Sequence, residues 1–176
     1  MNDKNVNIFF APISNGKLYS NFEKTVLYGL EICDIDSKHI EKIVSLKNKI
    51  RLWGIRDAKK TTYDKTKIGD FVLFYKEGFI IGYSKINSLL EDEDLSIHLW
   101  GIFENKQRGE KYTWLNLLIF NDFTKCKIPF STFRDLAQYN EKFSIRGYIQ
   151  FRENATRKII SSFESIEKFI KIHTIE

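Results

Sequence analysis

The sequence is poor in the residues that most often carry covalent or metal chemistry. Among 176 residues there are two cysteines and three histidines. Cys33 and Cys126 stand far apart with no C-x-x-C spacing. That excludes a disulfide framework or a zinc ribbon; two reduced thiols are expected, with one bridge as the alternative. His39, His98 and His173 show no metal-ligand spacing. Neither a Gly-rich phosphate loop nor a nucleophile elbow occurs. Apolar runs long enough to span a bilayer are missing, as are the charged start and small-residue cleavage site of a signal peptide. A cytoplasmic location is therefore expected. Without repeats, low-complexity tracts or an internal linker, the chain reads as a single domain over residues 1–176. Whether a further domain follows Glu176 is open.

What is present is charge and, above all, aromatic rings. The 28 Lys and Arg against 23 Asp and Glu give a net charge of +5, a surplus that permits a polyanionic partner without demanding one. Hydrophobic content of 43% and charged content of 29% suit a soluble globular protein. Phe, Tyr and Trp make up 15% of the chain, and most must be core because large rings dominate burial energetics.

Local patterning predicts more strands than helices. Residues 5–11 read as a first strand stopped by Pro12, and residues 25–32 as a second. Asp36-Ser37 offers an N-cap for an amphipathic helix through Asn48, with Ile40, Ile43, Val44 and Ile50 at helical spacing. A strand carrying Trp53, a basic loop, the Gly69-Asp70 turn and two apolar strands meeting at Lys76-Glu77-Gly78 follow. Residues 90–95 read as an acidic solvated loop. The period of two then predicts strands over 96–103, 112–120 and 145–151. In the last, Arg146, Tyr148, Gln150 and Arg152 would face outward. Helices are expected from Ser131, with Phe133, Leu136 and Ala137 inward, and from Ser162 towards His173. Neighbouring strands with short turns favour an α+β fold: a mostly antiparallel, partly closed β-barrel with two to three flanking helices. The mouth of such a barrel is a natural pocket, and Trp53 and Trp100, both at predicted strand ends, fall there.

Five segments in this order, LWGIRD, GDFVLFY, GFIIGYSKI, SIHLW and YTWLNLLIF, spread over roughly the middle 100 residues, resemble the PUA superfamily of small barrels. The likeness is to its EVE and YTH domains and to the specificity domains at the front of McrB-type modification-dependent restriction proteins. The resemblance implies a non-catalytic reader that flips a modified base into an aromatic cage, with no cofactor. Its partner would be modified DNA, with methylated RNA as the alternative, and motor and nuclease components of a restriction system would lie elsewhere. Trp53 and Trp100 would be walls, with Phe103, Phe74 or Tyr75 as a third. The Gly54 carbonyl would accept the methylamino proton, and Ser14 and Asn15 would meet the base edge. Gly54-Ile55-Arg56-Asp57 after Trp53 departs from the YTH pattern, which leaves methyladenine and methylcytosine both open.

Taken alone, two indoles are equally the material of a barrel core; the resemblance turns the reading to a cage. Stacking contributes roughly 1–3 kcal/mol per base, against a few kcal/mol for flipping. Burying a methyl adds roughly 0.8 kcal/mol, and an unmethylated amine would leave a donor unpaired at roughly 1–3 kcal/mol. Together these favour the methylated base by about 2–4 kcal/mol, roughly 30- to 1000-fold. Trp114 reads as structural. Arg56, Lys59, Lys60, Lys65 and Lys67, joined by Arg108, could grip phosphates or simply be solvated. A small nuclease is the reading of another class, since Asp70 and Lys76 resemble half of an acidic-lysine arrangement. Asp70, however, is explained by its turn.

Overall fold

The computed structural model describes residues 6–41, 43, 49–105 and 109–175. Its spine is the expected hairpin of β4 (Phe71–Lys76) and β5 (Phe79–Glu91). The turn residues Glu77 and Gly78 both have positive φ, 48° and 87°. That backbone matches the right-handed twist of the flanking strands. β5 pairs β4 and β9 (Thr124–Pro129) along its first half. Past a register shift between Ile86 and Ser88 it pairs β8 (Asn116–Phe120) instead. β8 in turn pairs β3 (Lys49–Ile55), and β3 pairs the short β2 (Leu30–Glu31). On the other side β1 (Ile8–Pro12) runs parallel to β4, with Ile8 opposite Phe71, and β10 (Ile149–Gln150) closes the edge antiparallel to β1. All the other pairings are antiparallel, so the sheet is mostly antiparallel with one parallel seam.

Alternation along the strands makes this sheet curl. Phe9 and Ala11 of β1, Trp53 and Ile55 of β3, Val72 and Phe74 of β4, and Leu118 and Phe120 of β8 all converge in one buried cluster. Strands from both ends of the sheet can share one core only if the sheet bends around it. Residues 57–67, a 3-10 turn at Asp57–Lys59 followed by α3 (Lys60–Tyr63), are bonded to β5, β8 and the segment before β10. The Tyr63 hydroxyl donates to the carbonyls of Leu90 and Leu117, both at 3.3 Å, and the Thr66 and Tyr148 hydroxyls bond at 3.1 Å. Outside the barrel, α5 (Phe130–Leu136), α6 (Glu153–Phe163) and α7 (Ile166–His173) contribute Phe133, Ile159 and Phe169 to a second core. α4 (Glu93–Trp100) lays Leu95, Leu99 and Trp100 on Leu52, Leu117 and Ile119 in a third.

Several segments differ from the pattern-based expectation. The strand expected over 96–103 is α4. Asp92 caps it, accepting from the Leu95 amide at 2.9 Å, Glu93 and Asp94 sit where the helix dipole favours acids, and Gly101 ends it at φ 74°. Residues 90–95 are thus the end of β5 and a helix start, not a loop. Of residues 25–32 only Leu30–Glu31 is a strand. α1 (Lys17–Phe22) runs into a π-helical turn at Glu23–Leu27, with Leu18, Phe22 and Val26 four apart on the inner side. The helix after Asp36 is α2 (Ser37–Ile40); Ile50 belongs to β3, while Val44 and Asn48 lie outside the described residues. Ser162 lies inside α6, and Ser165 is the cap of α7. Seven α-helices stand among the described residues, against the two to three expected. No helix among them is long and apolar enough to cross a membrane.

Candidate functional site

Where β1 and β3 end on the same side of the barrel, a cavity of about 760 Å³ opens, within the size range of small-ligand sites. Its lining comes from segments far apart in sequence. Ala11 to Asn15 close the end of β1, and Lys17 and Leu18 begin α1. Trp53 to Arg56, Ala58 and Lys59 carry β3 into the segment of residues 57–67. Phe103 and Tyr112 come from β6 (Phe103–Asn105) and β7 (Glu110–Tyr112), a separate two-stranded hairpin, and Trp114 follows it. Arg146, Gly147 and Tyr148 complete the rim.

One wall is a run of stacked groups. The Arg56 guanidinium lies 3.9 Å from the centroid of Tyr112, Tyr112 stacks on Phe103 at 5.5 Å, and Phe103 stacks on Trp114 at 4.7 Å. Phe103 and Tyr112 are directly opposed in the hairpin register, the pairing that most favours aromatic contact between strands. Lys17 Nζ sits 4.6 Å from the Phe103 centroid. Opposite in origin is Trp53, which meets Phe22 and Phe74 edge-on in the core and still lines the cavity. Tyr148 forms part of the floor. It stacks on Phe9 at 5.1 Å and, contrary to the expected outward face, is buried; that burial holds its phenol well above the ordinary range, so it is a neutral hydrogen-bonding group.

The expected site residues separate under this geometry. Trp53, Gly54, Ser14, Asn15, Phe103, Arg56 and Lys59 all line the cavity. Asn15 Nδ2 also donates to Glu77 Oε1 at 2.8 Å. Trp100 does not line it: at the end of α4 it is 3% exposed, with its indole nitrogen buried and without a hydrogen-bond partner among the described residues. Trp53 and Trp100 thus do not face one another across the cavity, since of the two only Trp53 lines it. Trp114 touches both, with centroids 5.6 Å from Trp53 and 5.1 Å from Trp100, whereas a ring inserted between two others needs about 7 Å. Phe74 and Tyr75, the other candidates for a third wall, point into the first and second cores. Trp114, read from sequence as structural, therefore stands at the cavity where Trp100 was expected. Its signal was the trio Phe103, Tyr112 and Trp114 flanking one polar loop.

Gly54 is fixed by these rings: a Cβ there would fall 2.4 Å from the Trp114 Cβ and 2.7 Å from the Trp100 ring. At the rim, Gly147 has φ 75°, and a Cβ would fall 2.6 Å from Lys59 Cε, so the Lys59 stem crosses the backbone where a side chain is missing. Lys60 points away, bound by Asp64 at 3.0 Å and by Glu91, which raise its pKa. Lys65 and Lys67 line a different cavity, and Arg108 lies outside the described residues. Asp70 accepts the amides of Asn7 and Lys67, each at 2.8 Å, as its turn requires. Lys76 sits over Tyr19 at the other end of β4, roughly 20 Å away at 3.3 Å per residue, so the two form no common site. His39 pairs with Asp92 at 3.0 Å, and His173 Nδ1 bonds to the Phe169 carbonyl at 2.8 Å; neither reaches the cavity. Among the described residues no group of His, Cys, Asp and Glu is arranged to hold a metal, and Cys33 and Cys126 are free.

No protein-family model and no curated protein matches the sequence. Solved structures do match the fold. The N-terminal domain of Thermococcus gammatolerans McrB bound to m5C DNA superposes with a TM-score of 0.62 at 18% identity, over 90% of this chain and 97% of that one. The Pho92 YTH domain in complex with m6A gives 0.50 at 12% identity, over 91% of this chain and 87% of that one. The chain thus has the α+β, PUA-like barrel fold of the EVE and YTH group.

Proposed function

We propose that this chain is a non-catalytic reader of modified nucleic acid, forming one unit over residues 1–176, that takes a flipped base into the cavity beside Trp53. The observation that carries the reading is the coincidence, in one opening, of an aromatic wall with a rim of cations. Trp53, Phe103, Tyr112 and Trp114 supply π-faces and edges, and Arg56, Lys59 and Arg146 stand at the mouth where the phosphates flanking an extruded nucleotide would lie. A base edge would meet Ser14, Asn15 and the backbone at Gly54. Two proteins of the same fold are bound to m5C DNA and in complex with m6A, respectively, which supports a modified base as ligand. The base we favour is adenine methylated on its exocyclic amine, followed by methylcytosine. The setting we favour is the cytoplasmic specificity component of a restriction system, with motor and nuclease supplied by other components.

The test is equilibrium binding to matched oligonucleotides, methylated and plain, prepared as DNA and as RNA. Tighter binding of the methylated DNA, by the roughly 30-fold or more that one buried methyl and one avoided unpaired donor provide, is the expected result. Equal affinity for all four would overturn the reading. A preference confined to RNA would move the partner and leave the pocket in place. Cleavage of methylated DNA by the purified chain with magnesium would replace the reader by an enzyme.

A further inference from the structure

A second cavity, of about 610 Å³, is bounded by the same two segments as the first but at their other ends. The segment after β3 gives Arg56 and Lys59 to the first cavity and Lys65 and Lys67 to the second. The segment around β10 gives Arg146 and Tyr148 to the first, and Gln150, Glu153 and Arg157 to the second. Between them the two segments are joined by the bond of Thr66 to Tyr148 and by the passage of Lys59 over Gly147. The seam is continuous, with a cavity at each end.

Its chemistry differs from that of the first cavity. Among the described residues no aromatic ring lines it, and its polar floor is made by Asn7 and Gln150, with Gln150 Nε2 donating to Asn7 Oδ1 at 3.2 Å. Among the described residues neither Lys65 nor Lys67 forms an ion pair, whereas Lys60, between them and the first cavity, is held by two carboxylates. Asp70, near Lys67, already accepts two backbone amides. Arg157 contacts Glu153 at 3.5 Å, so three cations face one carboxylate. A base finds no described ring to stack on here, while a phosphodiester finds the cations of Lys65, Lys67 and Arg157.

We infer that the second cavity is a subsite for the phosphodiester backbone, so that the strand whose base occupies the first cavity runs along the seam between residues 56–67 and 146–157. The inference rests on the reading of the first cavity for its direction, and on the charge of the second for its ligand. Asn7 and Ala11 line the two cavities from opposite ends of β1. They are four residues apart, about 13 Å in extended chain, the length of roughly four base-pair steps measured along a duplex axis.

The experiment compares wild type with Lys65→Gln, Lys67→Gln, Arg157→Gln combined, all three exposed in the fold. Fluorescence anisotropy is read against salt for two ligands carrying the same methylated base: a trinucleotide, and a duplex long enough to cover the seam. On the duplex the triple variant is expected to lose about 0.9 from the salt slope per contact, roughly 2–3 in all. The trinucleotide affinity and the ratio of methylated to plain duplex should not change. An unaltered slope on the duplex would overturn the subsite, as would an equal loss on the trinucleotide. If wild type shows no preference for methylated duplex but the slope still falls, the backbone subsite stands and the base pocket is what fails.

Discussion

Replacing each of three tryptophans by leucine separates the cavity's walls from its supports. Trp53, Trp100 and Trp114 are buried to a similar degree, 4%, 3% and 6% exposed, so exposure alone does not distinguish them. Truncation of a buried Trp to Ala costs about 3–5 kcal/mol, and Leu retains part of that volume. Trp100→Leu should be the mildest, because it also deletes an indole nitrogen that is buried without a partner, a liability of about 1–3 kcal/mol. Binding should order the variants differently. Trp53 faces the cavity and has no ring stacked parallel on it, so Trp53→Leu removes a base-stacking face worth about 1–3 kcal/mol, or roughly 5- to 150-fold in Kd. Trp53→Phe, which keeps a ring in the core, should lose less of both. Trp100→Leu should bind methylated oligonucleotide within about twofold of wild type, since 1–3 kcal/mol of stacking is not there to lose. Chemical denaturation fixes the conditions under which all variants are folded, and anisotropy titrations under those conditions give the Kd values. If Trp100→Leu loses as much affinity as Trp53→Leu at equal folded fraction, the placement of Trp100 behind the cavity is wrong as an account of binding.

Other consequences are simpler to state. Gly54→Ala would drive a methyl into Trp114 and Trp100; overpacking of this kind costs about 1–3 kcal/mol, to be seen as a lower denaturation midpoint. Gly147→Ala places a side chain at φ 75° and against Lys59; the backbone cost is about 1–2 kcal/mol, and thermal melts should fall while the salt slope for duplex flattens as Lys59 moves. Burial, and then the charge of Glu91, push the Tyr63 phenol up to about 12, and burial raises Tyr148 well above its usual value. For an acid raised on folding, the stabilisation is complete below the unfolded value near 10 and is lost as pH rises towards the folded one. Near-ultraviolet titration should therefore show these two tyrosines ionising together with alkaline unfolding, and all eight tyrosines titrating with a midpoint near 10 in a still-folded chain would contradict their burial.

The hairpin of β4 and β5 was legible because two independent signals agree there: apolar runs of strand length, and a turn whose residues accept positive φ. Around α4 the signals conflicted. Ile97, Leu99 and Phe103 alternate as in a strand, yet Leu95 and Leu99 are also four apart, and Asp92-Glu93-Asp94 is a helix start. The cap decides the contest, because it satisfies an amide that a strand would have left to a neighbour. The same kind of signal lay in Leu18, Phe22 and Val26, hidden by the β-branched residues that follow them. β10 could not be bounded from sequence: two residues pair, and what precedes them is held by Phe9 and Thr66, partners that only the folded chain supplies.

This one error of element type carries through to the site. On a strand over residues 96–103 the Trp100 indole would have alternated away from Leu99 and out towards the barrel mouth. On α4 the positions of Leu95, Ser96, Leu99 and Trp100 form one buried stripe, and the ring turns inward. Trp53 was expected on a strand and lies on one, two residues before β3 ends. The cationic loop shows the same dependence. Five cations between Arg56 and Lys67 are equivalent in sequence, but the fold sends two to the aromatic cavity, two to the polar one, and binds the fifth to Asp64 and Glu91. Glu91 reaches Lys60 because β5 runs on through residues 90 and 91, where a solvated loop was expected. Residue type therefore announces that the chain has rings and cations to offer a nucleotide. Which of them meet it is decided by where one long strand bends and where one aspartate starts a helix.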